Sequence, residues 1–195
     1  MIKKFFAAAL TLCMPFSMTV SAQTSDSSQD STAVQEVIVY HTNDSHGYLS
    51  GDGENIVGID LAAGLKESTP NSILVDAGDA TQGLPLASLT KGADVIELMN
   101  QAGYDLMTAG NHEFDFGTEA FLSNARKADF PILAANIYRN GSPLLKDVQE
   151  GNNGCHTIIE QNGVRIGFFG LTTADTASST NPTGITAVSY THLTL

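Results

Sequence analysis

Three short apolar runs in this chain each lead into a glycine-bordered cluster of acids, amides and histidines. Val37-Ile38-Val39-Tyr40 runs into His41-Thr42-Asn43-Asp44-Ser45-His46-Gly47, and Ile73-Leu74-Val75 runs into Asp76-Ala77-Gly78-Asp79-Ala80-Thr81-Gln82-Gly83. A weaker third run at Leu106-Met107 ends in Gly110-Asn111-His112-Glu113-Phe114-Asp115. Runs this short and partly β-branched suit buried strands, and similar runs follow at Ile132 to Ala135 and Val164 to Phe169. Helical patterns lie between them. Ile59 to Lys66 is a short amphipathic stretch, and Asp94 to Gln101 has an apolar face that Gly103 should end. Thr118 to Ala128 has Phe121, Leu122 and Ala125 at helical spacing, with Thr118 expected as N-cap, Glu119 in the first turn and Arg126 and Lys127 in the last. Strand alternating with helix predicts an α/β domain with largely parallel strands. In such a sheet ligands collect beyond the carboxyl ends of the strands, so the three clusters are expected to meet at one edge. Asn162-Gly163, between Thr157–Ile159 and Val164–Phe169, predicts a hairpin turn.

The N-terminus predicts export. Lys3 and Lys4 precede an apolar stretch from Phe5 to Phe16, and Val20-Ser21-Ala22 offers small residues before a cut ahead of Gln23, so residues 1–22 read as a signal peptide. That stretch is short and broken by Pro15, which argues against a stable membrane span. Residues 23–34 open with QTSDSSQDST, without an apolar side chain, and read as a flexible linker. Removal of the signal peptide takes Cys13 with it and leaves Cys155 alone, expected as a partly buried thiol rather than part of a disulfide framework. The 42% hydrophobic fraction can fill a core. A net charge of −12 excludes a nucleic-acid binder that works through a basic face and argues against docking on anionic lipid.

The clustered residues have the chemistry of a divalent-metal site. Asp44 and His46, two apart, would project to the same side if their backbone is extended. Asp79 sits on glycine-rich backbone that can turn sharply, and its two oxygens could bridge two cations. Asn111 adds a neutral carbonyl. Carboxylate, imidazole and amide together suit Zn, Mn or a similar ion, not a thiolate site. Because the chain is acidic overall, the attraction for a phosphate dianion must come from bound cations. His112 and Asp115, three apart, form a candidate catalytic pair in which the carboxylate fixes the imidazole tautomer and raises its basicity. Other polar residues carry simpler expectations. Asp76 should make a structural hydrogen bond, and His41 should be packed or hydrogen-bonded. Gln82 should close a turn, and Asp52 and Glu54 should be solvated. Glu113 does not mark a metalloprotease helix, because the second histidine of His-Glu-x-x-His falls at Asp115 or Phe116. There is no Gly-x-x-x-x-Gly-Lys-[Ser/Thr] phosphate loop in the chain.

In this order, the three clusters resemble the signatures of the 5'-nucleotidase family of calcineurin-like metallophosphoesterases, with the bacterial periplasmic UDP-sugar hydrolase/5'-nucleotidases the nearest kind. Gly167-Phe168-Phe169-Gly170-Leu171-Thr172-Thr173 is also similar to a segment of that family, and the resemblance covers roughly residues 35 to 185. It implies a four-layer sandwich of two mixed sheets flanked by helices, over a domain at 35–187 that is incomplete at its C-terminus. It implies two divalent ions, with Asp44 and His46 on one, Asp79 bridging and Asn111 on the second, and with His112 and Asp115 as the catalytic pair. Hydrolysis would use metal-bound hydroxide attacking phosphorus, on nucleoside 5'-monophosphates and UDP-sugars, in a periplasmic or extracellular monomer. The alternatives are a cyclic-nucleotide phosphodiesterase or sulfur-ester hydrolase of the same superfamily, or a metal-binding remnant without turnover. The family completes its metal site with histidines further downstream, including a Gly-His-x-His segment. Residues 188–195 contain only His192, outside that context, and read as a non-native tail. The chain is therefore expected to be an inactive N-terminal fragment.

Overall fold

The computed structural model describes residues 35–189. The expected signal peptide, the expected linker and the tail from 190 onward lie outside the described residues. The order is β1 (Ile38–Thr42), α1 (Ile59–Ser68), β2 (Ser72–Asp76), α2 (Pro85–Leu89), α3 (Ala93–Ala102), β3 (Leu106–Thr108), α4 (Thr118–Lys127) and β4 (Ile132–Leu133). The four strands form one parallel sheet in the order β1-β2-β3-β4. Each crossover therefore steps in the same direction, and the usual right-handed connection puts the helices on one face. Helices α1, α3 and α4 accordingly pack in a row, α3 touching both others.

Burial follows the sequence pattern. Leu74, Met107 and Ile132 from the sheet pack with Val95, Ile96 and Met99 of α3 and Phe121, Leu122 and Ala125 of α4 in one core. At its open end α1 is tied down by Lys66, whose ammonium donates to the Ser72 carbonyl and to Asp105 Oδ2, which also accepts the Leu74 N–H. Gly103 ends α3 as expected, with a φ of 75° that a side chain would resist. Thr118 departs from expectation: Gly117 is the N-cap of α4 and Thr118 is its first helical residue. The Thr118 hydroxyl donates to the Thr183 carbonyl at 3.0 Å and accepts the Thr183 N–H at 2.8 Å, so a tertiary tie takes the place of the cap.

The second half of the chain is antiparallel. Strands β5 (Ile137–Arg139), β6 (Ser142–Pro143) and β9 (Thr186–Ala187) form a sheet in the order β6-β5-β9, with the short helix α5 (Thr176–Ser179) ahead of β9. Strands β7 (His156–Gln161) and β8 (Val164–Phe169) form the expected hairpin. Its turn residues Asn162 and Gly163 have φ values of 51° and 75°, the doubly positive pattern that matches strand twist. The α/β class is as expected; over the described residues the first sheet is wholly parallel and the others wholly antiparallel. Cys155 is a half-buried free thiol. Among the described residues no helix is long and apolar enough to cross a membrane.

Candidate functional site

Register brings the three clusters together. Thr42 pairs with Asp76, Asp76 with Met107 and Thr108 with Leu133, so β1, β2 and β3 end at one edge and their loops leave side by side. Hydrogen bonds between backbones then join the first loop to the second: Asp44 N–H donates to Gly78 O at 2.9 Å and His46 N–H to Asp79 O at 3.0 Å. The extended backbone expected for Asp44 and His46 is not found. The strand stops at Thr42, and both residues lie in the left-handed region, with φ of 52° and 45°. These two cross-loop bonds oppose the strain of that conformation. Asp79 is also left-handed, at φ 60°.

The second and third loops approach still more closely. A Cβ placed on Gly78 would lie 2.5 Å from the Gly110 nitrogen, so only glycine permits the contact. Asp79 Oδ1 accepts the His112 N–H at 2.8 Å, which fixes the candidate bridging carboxylate against the first residue of a 3-10 turn, His112–Phe114. From behind, the Thr172 hydroxyl donates to the Ala109 carbonyl at 2.7 Å, and Asn136 holds Thr172 through that residue's own N–H and C=O. The Gly167–Thr173 segment thus supports the third loop.

The main polar group that sequence reasoning passed over is Glu113. Weighed there only as a metalloprotease base, it is buried, and its carboxylate accepts N–H bonds from Asp79, Ala80, Thr81 and Gly110 and a hydroxyl bond from Thr81. Burial pushes its pKa up while the converging donors favour the anion. A signal was present in the sequence. An acid in a glycine-bordered cluster, with no lysine or arginine nearby in the chain to pair with it, is suited to accept loop N–H groups.

His112 and Asp115 pair as expected. Asp115 Oδ2 lies 2.8 Å from His112 Nδ1, and the turn is closed by Asp115 N–H on His112 O. The hydrogen bond to Asp115 is the largest influence on the imidazole and raises its pKa; partial burial opposes it, and the charges of Asp115, Asp79 and Glu113 add to the rise. The His46 and His112 rings meet edge to face with centroids 5.3 Å apart, so residues from the first and third loops share one site. A cleft of about 150 Å³ opens beside Asp44, lined by Asn43, Ser45, Tyr48 and Asn55.

Beneath the site Asp76 makes the structural bonds expected of it. It accepts the Thr42 hydroxyl at 2.5 Å and the Gly78 N–H at 2.8 Å, and Thr42 Oγ1 lies 2.9 Å from the Tyr104 hydroxyl. Complete burial pushes its pKa up to about 8, Thr42 and Gly78 counter this, and Glu113 and Asp79 add to it. A carboxyl raised in the folded state is neutral there at pH values where the unfolded chain has already ionised. The metal-free chain should therefore lose stability as pH rises from about 4 to about 8, by up to about 1.4 kcal/mol per pH unit. Urea midpoints measured at pH 5, 7 and 8.5 should show this decline, and Asp76→Asn should flatten it.

Other expectations are met in part. His41 is exposed, because it sits on the outward side of β1 next to the buried Thr42, and is not packed as expected. Asp52 is exposed, but its Oδ1 accepts the N–H groups of Glu54, Asn55 and Ile56 and so organises the loop as well as being solvated; these bonds lower its pKa. His156 opens β7 and is exposed.

As donors, the carboxylates of Asp44 and Asp79, the imidazole of His46 and the amide of Asn111 fit divalent cations that accept mixed oxygen and nitrogen ligands. Among the described residues no three His, Cys, Asp or Glu side chains are gathered into a ready-made metal cage. The fit thus lies in the donor chemistry and in loops built for close approach.

The chain is 35% identical over 162 residues to a 5'-nucleotidase from Rattus norvegicus, a match covering 75% of this chain and 28% of the relative. Among solved structures, a 5'-nucleotidase precursor from Thermus thermophilus is similar with a TM-score of 0.66 and 28% identity, over 78% of this chain and 32% of that one. The calcineurin-like phosphoesterase YfkN from Bacillus subtilis is similar with a TM-score of 0.54 and 28% identity, over 72% of this chain and 49% of that one. The chain thus spans 28% of the length of the curated rat relative. No protein-family model matches it.

Proposed function

We propose, from the premise that this chain belongs to the 5'-nucleotidase family of calcineurin-like metallophosphoesterases, that the protein carrying it is an exported metal-dependent phosphohydrolase of nucleoside 5'-monophosphates, with UDP-sugars as a second substrate. The observation that carries this reading is the meeting of three strand-end loops, with Asp44 bonded to the Gly78 loop and Asp79 bonded to His112. Residues 35–187 form the metallophosphatase unit, behind a cleaved signal peptide and a linker.

Asp44 and His46 would hold one divalent ion, Asn111 a second, and Asp79 both. Zn or Mn there would neutralise charge on the phosphoryl oxygens and lower the pKa of the attacking water. The chain's own residues do the rest. With Asp115 on Nδ1, the His112 tautomer is fixed and Nε2 is left to face substrate. A raised pKa keeps His112 protonated to higher pH, so it can neutralise a phosphoryl oxygen or give its proton to the departing ribose oxygen. The Asp79 bond to the His112 N–H couples the position of that imidazole to the metal-holding loop.

The test is AMP hydrolysis by the protein carrying this chain. Activity should vanish on chelation and return with Mn or Zn, and turnover that persists through complete metal removal would rule the reading out.

A further inference from the structure

We infer that Glu113 is a positioning residue whose buried carboxylate clamps the Asp79 loop to the Gly110–Asn111 loop and so sets the distance between two metal-holding side chains from different strands. This rests on the reading that Asp79 and Asn111 hold metal. The clamp is divided between the two oxygens. Oε2 accepts the Asp79 N–H at 2.9 Å and the Gly110 N–H at 2.7 Å, one from each loop. Oε1 accepts the Ala80 N–H at 2.9 Å and both the N–H and the hydroxyl of Thr81 at 3.1 Å. Glu113 therefore touches no reacting atom in this arrangement, and acts through the backbone on either side of the site. All five hydrogen bonds to the carboxylate come from donors on the two loops, four N–H groups and the Thr81 hydroxyl.

Glutamine has the same shape but offers only one acceptor oxygen. In Glu113→Gln the amide oxygen should take the three-donor Oε1 position, leaving the NH₂ against the N–H groups of Asp79 and Gly110. The two loops then lose their shared acceptor while the fold keeps its volume.

The experiment combines residue-resolved amide exchange with Mn²⁺ titration by calorimetry, both on the protein carrying this chain. In Glu113→Gln, exchange at Asp79 and Gly110 should accelerate while that at Ala80 and Thr81 holds, and Mn²⁺ affinity should fall about 10- to 100-fold, as for other groups that orient metal ligands. Leu145→Ala, in the core at 1% exposure, is the control for simple loss of stability and should leave Mn²⁺ affinity unchanged. If Glu113→Gln does not fold, Glu113→Asp keeps the charge but is too short to span both loops, and should show the same fall. Unchanged exchange and unchanged Mn²⁺ affinity in the Glu113 variants overturn the clamp, as does an equal fall in Leu145→Ala. Failure of the unmodified protein to take up Mn²⁺ instead overturns the metal reading, and the exchange measurement still decides whether the two loops are clamped.

Discussion

On the proposed reading, Asp79→Asn in the protein carrying this chain is expected to reduce AMP hydrolysis by more than about 100-fold, beyond the usual cost of losing a group that only orients a metal ligand. The substitution keeps an oxygen that can accept the His112 N–H, so the bond that links the second and third loops can survive. What it removes is the negative charge and one of the two oxygens needed to hold two cations together. Asp79→Ala removes both the ligand and the acceptor, so it should also release the 3-10 turn that begins at His112. Comparing the two separates chemistry from architecture. Calorimetric Mn²⁺ titration should show the affinity lost in both, while amide exchange at His112 should accelerate only in Asp79→Ala. Hydrolysis at the unmodified rate in either variant would falsify the assignment of Asp79.

His112→Ala is expected to lower turnover by about 10²- to 10⁴-fold, the range for losing a positioned acid or base, with little change in metal content. That split marks a group that works on the substrate rather than on the ions. The pH dependence follows from Asp115. Because the folded pKa of His112 is raised, the proton it contributes is present at low pH and is lost as pH climbs through that raised value, which gives the basic limb of the activity profile. Asp115→Asn weakens the hydrogen bond that most raises the pKa and removes the Asp115 charge that adds to it, so the basic limb should move to lower pH. A limb that stays in place in Asp115→Asn assigns the titration to another group.

The elements were largely legible in the chain because their signals are local. Short β-branched runs, the apolar face of α3 and its stop at Gly103, and the Asn162-Gly163 hairpin each involve residues within a few positions of one another. That the candidate residues lie in neighbouring loops was legible because each loop follows a strand end, and parallel pairing puts those ends at one edge. The Thr118 cap was misread for the opposite reason: its hydroxyl bonds Thr183, 65 residues away in sequence, and no local rule weighs that competitor.

By itself the sequence determined which side chains reach the edge of the sheet and what chemistry they offer, since strand period and loop composition are written along the chain. Only the tertiary structure decided how they are held. The left-handed backbone at Asp44 and His46 persists because Gly78 and Asp79 supply the opposing carbonyls. Glu113 became a shared acceptor, and Thr172 a prop for Ala109 across 63 positions, only once separate loops had been packed together. Hydrogen bonds between distant segments depend on where the whole sheet places its loops, and a one-dimensional pattern does not encode that separation.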